Sequence, residues 1–259
     1  MTDAFSVKGK NVIVTGGNRG IGIGIARAFA QSGANVIIMC RDEAKGQAAA
    51  EEMRSYGVRS CCIGCDISDR ESIRAAKVKV FEFFDTLDVL VNNAGVATNK
   101  FFLDDENMSE WYRVLNTDLN GVATMCHEFA PVMRDQGKGG SIINISSIGG
   151  QFIGNAADHP NPPYFTAKAA VDHFTRYLAI EFGSYGIRVN VVAPGPTHSD
   201  LDADLPQQFL DHVENDMPMH RFGEGIEIGA YCVFLASPAA AHVTGTICNC
   251  DGGLVCVGT

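Results

Sequence analysis

Seven short apolar runs, each separated from the next by enough residues for a helix, constrain this chain more than any other feature. They are "NVIVT" (11–15), "NVIIM" (35–39), "SCCIG" (60–64), "LDVLVN" (87–92), "SIINIS" (141–146), "RVNVVA" (188–193) and "TICNC" (246–250). Their hydrophobicity is nearly continuous rather than alternating, which predicts strands covered on both faces. Intervening segments such as "IGIARAFAQSG" and "DEAKGQAAAEEMRSYG" have helical spacing and end at glycines able to cap them. Repeated βα units predict a doubly wound α/β fold, a seven-stranded, mostly parallel sheet with helices on both faces.

The 259 residues suit one Rossmann-like domain spanning 1–259. One interval, Gly195 to Met219, holds prolines and acids but no strand, and a connection of that length predicts a substrate lid at about 195–219. Hydrophobic residues make up 46% of the chain, yet no run reaches the ~18 apolar residues of a membrane span. The N-terminal "MTDAFSVKGK" lacks the pattern of a signal peptide, so a cytoplasmic protein is expected. A net charge of −10 argues against nucleic acid or an anionic membrane as partner. The nine cysteines read as reduced thiols. Cys62 and Cys65 form a CxxC at a strand rather than a helix start, and Cys248 and Cys250 fall on a distant strand, so no metal site is expected.

Three motifs carry chemistry. "TGGNRGIG" (15–22) stands where the first strand passes into a helix; Gly16, Gly20 and Gly22 let the backbone turn sharply and approach a pyrophosphate held by the helix N-terminus. "VNNAG" (91–95) ends the fourth strand, where open α/β sheets bind ligands, with Asn93 tying strand ends and Ala94 and Gly95 leaving room for adenosine. "YFTAK" puts Tyr164 and Lys168 one helical turn apart on one face. A tyrosine, with an ordinary pKa of about 10, needs a nearby cation and a helix N-terminus to act as an acid-base group at neutral pH.

With these motifs in order, and with "PG" at 194–195 and "DGG" at 251–253, the chain resembles the short-chain dehydrogenases/reductases from about Lys8 to Gly253. The resemblance implies an oxidoreductase interconverting a ketone or aldehyde and a secondary alcohol. It implies Tyr164 as the proton donor or acceptor, Lys168 on the nicotinamide ribose, Ser147 on the substrate oxygen, and Asn116 as the asparagine that kinks a helix and supports a water leading to Lys168. Ser147 aligns better than Ser146, which would be a buried strand-end residue. Cofactor contacts are implied for Gly16, Asn18, Arg19, Gly20, Ile21, Gly22, Arg41, Asp66, Ile67, Asn93, Ala94, Gly95, Tyr164, Lys168, Pro194, Gly195 and Thr197. Where an NAD enzyme would carry an acid at the end of the second strand, this chain has Cys40 followed by Arg41, with Arg19 in the glycine turn. Two guanidinium groups favour the 2′-phosphate of NADP(H), while Asp42 and Glu43, free to pair with Arg41, keep NAD(H) open. The family also implies a homotetramer built through "AVDHFTRYLAIEF" (170–182) and the C-terminal "GGLVCVG".

Ser147 and Tyr164 are further apart than the family usually has them, the surplus lying in "NAADHPNPP". Its prolines would hold one shape beside the substrate, with Asn155 and His159 as substrate contacts. Six carboxylates between Asp200 and Asp216, with no Lys or Arg among them, would repel an anionic substrate if they faced it. A neutral substrate is therefore expected. The resemblance, in which some polyol and ketose reductases carry a longer segment here, implies a ketose or polyol, while Phe152 and Ile153 would suit a hydroxysteroid. A 3-oxoacyl thioester reductase and an NAD(H)-linked alcohol or hydroxysteroid dehydrogenase stay open, as does a nucleotide-binding regulator without catalysis.

Overall fold

The computed structural model describes residues 3–153, 160–198 and 207–257, without the side chains of Gln208 and Phe209. Its strands are β1 (Asn11–Thr15), β2 (Asn35–Cys40), β3 (Ser60–Gly64), β4 (Val89–Asn92), β5 (Gly140–Ile145), β6 (Ile187–Pro194) and β7 (Ile247–Cys250). They join in one sheet, ordered β3-β2-β1-β4-β5-β6-β7, and all the pairings are parallel. The seven runs read from the sequence are these strands. The order reverses between β1 and β4, so a crevice opens at their C-terminal ends, where such sheets take ligands.

Side chains alternate between two cores. Val12, Val14, Val36, Ile38, Val89 and Val91 face one side with residues of α1 (Gly20–Gln31), α2 (Glu43–Ser55) and α8 (Gly225–Ala236). Ile13, Ile37, Met39, Leu90 and Ile142 face the other, against α3 (Arg70–Phe83), α5 (Val122–Asp135), which follows the short α4 (Ser109–Leu115), and α6 (Pro162–Phe182). Apolar residues on both faces of each strand account for the absence of an alternating pattern.

α1 and α8 touch backbone to backbone. A Cβ on Gly24 would collide with the Gly225 backbone, and one on Gly229 would come 2.8 Å from the Gly24 carbonyl oxygen. Overpacking of that kind costs about 1–3 kcal/mol, so small residues are required at this crossing. The crossing fixes where α1 begins.

Cys62 and Cys65 belong to the β3 edge, whereas Cys248 and Cys250 lie on β7 at the opposite edge. Among the described residues no group of His, Cys, Asp and Glu is arranged to hold a metal. Cys65 is buried, and burial pushes its thiol up to about 11, away from the reactive thiolate. No helix among the described residues is long and apolar enough to cross a membrane.

The interval 195–219 contains α7 (Gln207–Asn215). Val213 and Met217 turn inward onto Ile148 and Leu254, the latter opening the short α9 (Leu254–Val257). Asp211, Glu214 and Asp216 are exposed. The carboxylates described here therefore face solvent, and the apolar side closes over the turn that follows β5. The segment is anchored at its end, where Met219 N–H donates to the Gly252 carbonyl at 3.2 Å.

Candidate active site

The glycine turn leaves β1 at Gly16, whose φ of 65° is in the left-handed region, and Gly20 repeats it at 51°. A Cβ on Gly22 would collide with the Gly16 carbonyl oxygen. α1 then starts with no side chain capping it and no acid in its first turn. Its free N–H groups and its dipole suit an anion. Asn18 and Ile21 are half-buried in this turn, and Arg19 is exposed.

Thr15 holds the ends of β1 and β4 together: its Oγ1 accepts from Asn93 N–H at 2.9 Å and from Ala94 N–H at 3.0 Å. Asn93 Nδ2 donates to the Thr15 carbonyl at 2.9 Å. Asn92 Nδ2 donates to Asn144 Oδ1 at 2.9 Å, and Asn144 passes the chain on to Thr175 of α6 at 2.8 Å. Buried amides thus lock β4, β5 and α6 into one frame, which the sequence reading had not singled out in Thr15, Asn144 or Thr175.

At the end of β2, Arg41 is exposed and makes no ion pair among the described residues, nor does Arg19. The expectation that Asp42 or Glu43 could neutralise Arg41 is not met. Asp42 instead caps α2, accepting from Lys45 N–H at 3.1 Å, and its carboxylate lies 3.9 Å from the Lys45 ammonium. Glu43 packs on Gly64. Both guanidinium groups stay available. Asp66 accepts two bonds from Ser68, at 2.9 and 2.7 Å. Burial works against its charge, but those bonds and the Arg41 charge prevail and hold the carboxyl below its ordinary value. The buried Ile67 follows it.

The two serines after β5 diverge. Ser146 is buried and donates to the Lys168 carbonyl at 3.1 Å. Ser147 is half-buried, and its Oγ accepts from Gly149 N–H at 3.0 Å. That turn presses on α6, since a Cβ on Gly150 would stand 2.9 Å from the Lys168 carbonyl carbon. On α6 the half-buried Tyr164 has the Lys168 ammonium 5.2 Å from its ring centroid. The ammonium also donates to the Ile145 carbonyl at 3.1 Å. Ser147, Tyr164 and Lys168 are thereby gathered at the C-terminal end of β5.

Asn116 does not join them. It is exposed, and its Oδ1 accepts from Asn120 Nδ2 at 2.9 Å. The residue that reaches Lys168 is Asp118, whose Oδ2 lies 3.2 Å from the ammonium. Residues Asn116–Gly121 form a π-turn, whose wider winding shifts every later side chain around the axis. A buried lysine needs a counter-charge, and that requirement was the signal that singles out Asp118.

Pro194 and Gly195 end β6, and a Cβ on Gly195 would lie 2.7 Å from Asp251 Cα. Thr197 is nearly buried and bonds the Gly195 carbonyl at 2.9 Å. Asn155 and His159 lie outside the described residues.

A parallel doubly wound sheet, with a glycine turn at its switch point and a Tyr-Lys helix beside β5, defines a nicotinamide-dependent oxidoreductase. The comparisons agree. A family model described as enoyl-(acyl carrier protein) reductase matches residues 16–255. The 3-oxoacyl-[acyl-carrier-protein] reductase FabG of Staphylococcus aureus is 35% identical over 246 residues, covering 95% of this chain and 98% of its own. Among solved structures, a short-chain type dehydrogenase/reductase from Mycobacterium marinum superposes with a TM-score of 0.90 at 32% identity, over 98% of both chains. A gluconate 5-dehydrogenase from Burkholderia cenocepacia, in complex with NADP and tartrate, gives 0.90 at 31% identity, again over 98% of both. The chain belongs to the short-chain dehydrogenase/reductase family and is an oxidoreductase acting between C=O and CH–OH.

Proposed function

We propose that the chain is an NADP(H)-dependent reductase of a neutral ketone, of the ketose/polyol or hydroxysteroid kind, working through Ser147, Tyr164 and Lys168. The observation that carries the reading is the Lys168 ammonium 5.2 Å from the Tyr164 ring, on a helix packed against the Ser147 turn.

The glycine cradle, which admits no Cβ at Gly22, and the uncapped α1 N-terminus fit a dinucleotide pyrophosphate. Arg19 and Arg41, neither in an ion pair among the described residues, would hold the 2′-phosphate of NADP(H), although the Arg41 charge also reaches Asp66. Asp66, Ile67 and Asn93 to Gly95 would line the adenosine, Lys168 the nicotinamide ribose, and Pro194 to Thr197 the nicotinamide. When bound, the nicotinamide supplies or accepts hydride at the carbonyl carbon. Tyr164 donates a proton to the carbonyl oxygen in reduction and takes it back in oxidation. Ser147 donates a hydrogen bond to the same oxygen, stabilising the charge that develops there.

For the substrate, the three prolines at 160, 162 and 163 support a pocket of fixed shape. The Burkholderia structure, with tartrate bound, supports a small hydroxylated compound but not its neutrality, since tartrate and gluconate are carboxylates. A second reading is reduction of a 3-oxoacyl thioester. It is favoured by the Staphylococcus relative and by the lid, whose described acids face solvent and so do not repel an anion from inside. Relative kcat/KM across ketoses, hydroxysteroid ketones, diketones and 3-oxoacyl thioesters tests the choice. A thioester preferred over every neutral ketone would overturn the first reading in favour of the second.

We also propose a tetramer, whose contact face includes α6. Tyr177 and Ile180 stand out from that helix, Ile180 with 83% of its surface exposed.

A further inference from the structure

Lys168 is almost wholly enclosed, its side chain 5% exposed, and Asp118 is enclosed completely. Asp118 Oδ1 accepts from Val96 N–H at 2.8 Å, which fixes the carboxylate to the loop after β4. Its Oδ2 stands 3.2 Å from the ammonium as an ion pair and has no hydrogen-bond donor among the described residues. Gly95 makes the space, since a Cβ there would come 2.7 Å from that oxygen. The π-turn supplies the rotation that aims Asp118 at α6.

We propose that Asp118 is a positioning residue for the reaction, the built-in counter-ion that holds Lys168 charged and in place beside Tyr164. Among the described residues, the titratable groups acting on the ammonium are Asp118 from the π-turn, Tyr164 one turn before it on α6 and Asp172 one turn after; β5 contributes the neutral Ile145 carbonyl. Burial, the largest single influence, opposes the charge. The attraction and contact of Asp118, joined by Tyr164 and Asp172, outweigh it and leave Lys168 above its ordinary value.

The use made of the charge rests on the proposed function, but the charge itself is measurable without turnover. In protein labelled with 13Cε-lysine, with the Lys168 signal identified by its absence from Lys168→Met, the signal is followed with pH in wild type and in Asp118→Asn. Asparagine keeps the shape and the acceptor for Val96 while removing the charge. The expected result is a Lys168 midpoint lower by about one pH unit or more in Asp118→Asn. The kcat of the variant should also fall about tenfold further than that of wild type between neutral and alkaline pH. Asn116→Ala should leave the Lys168 midpoint where it is.

Equal midpoints in wild type and Asp118→Asn would overturn the proposal. Should Asp118→Asn not fold, Asp118→Ser, smaller and still able to accept from Val96, is read in the same way. Lack of turnover by wild type would defeat the functional reading and leave the titration result standing. An active Asp118→Asn with an unshifted midpoint would defeat this proposal alone.

Discussion

Ser146 and Ser147, adjacent in sequence, send their hydroxyls to different partners: Ser146 donates to the Lys168 carbonyl at 3.1 Å, and Ser147 accepts from Gly149 N–H at 3.0 Å. The first ties β5 to α6. The second leaves its own proton free for a substrate oxygen. Ser147→Ala should lower kcat/KM by about 10²–10³-fold, as expected for loss of a donor to a developing oxyanion. Ser146→Ala should retain most of the activity and lose about 0.5–1.5 kcal/mol of stability with its hydrogen bond. Assays of both variants beside their urea midpoints decide the register, and the reverse pattern would assign the reaction to Ser146.

In the proposed reading, Arg19 and Arg41 set the cofactor preference. Replacing Arg41 with Ala should raise KM for NADPH about tenfold or more, since a hydrogen bond to a charged group contributes about 1.5–3 kcal/mol. KM for NADH should barely move. Steady-state kinetics with the two cofactors read this, and a wild-type preference for NADH would contradict the assignment of both arginines.

The strands were legible because burial on both faces writes itself as unbroken apolar runs, and all seven lie where such runs occur. The glycine turn and the Tyr-Lys helix were legible because their spacing is local. Asp118 was not: Asn116 and Asp118 are two residues apart, and a π-turn changes which of them faces α6. Helical spacing of 3.6 residues per turn cannot register such a change. The amide chain from Asn92 through Asn144 to Thr175 joins β4, β5 and α6, a contact made by the fold rather than by sequence proximity. α7, too, was hidden among prolines and acids, a short helix of nine residues whose inward Val213 is joined by Met217 only beyond its end.

Asp172 predicts a pH dependence of stability. It is 3% exposed, with neither carboxylate oxygen hydrogen-bonded among the described residues. Burial pushes its carboxyl above the ordinary value of 3.8, against the charges of Arg176 and Lys168. A carboxyl raised in the folded state binds more protons there than in the unfolded chain. Its favourable contribution is therefore complete below its ordinary value and is lost as pH rises through the raised native one. Asp172→Asn should melt at about the same temperature as wild type near pH 4 and higher at pH 8, by about 2–4 °C for each kcal/mol relieved. Calorimetry at the two pH values checks this; a variant less stable at pH 8 would show that the ionised carboxylate stabilises the fold.

The tetramer predicts that a charge on the exposed face of α6 disperses it. Ile180→Glu should give a smaller particle than wild type by light scattering, with unchanged helix content. A wild-type mass of one chain would refute the assembly.

In the proposed reaction Tyr164, set by Lys168, moves the proton in a ketone reduction driven by NADPH. Its most direct measurement is NADPH oxidation, followed by absorbance, with wild type and Tyr164→Phe over the ketone and thioester panel, alongside nucleotide affinity by fluorescence. The expected result is turnover by wild type, a loss of about 10²-fold or more in Tyr164→Phe, and NADPH binding of equal strength in the two. Tight binding with no turnover of any substrate by wild type would contradict it and point to a nucleotide-binding regulator.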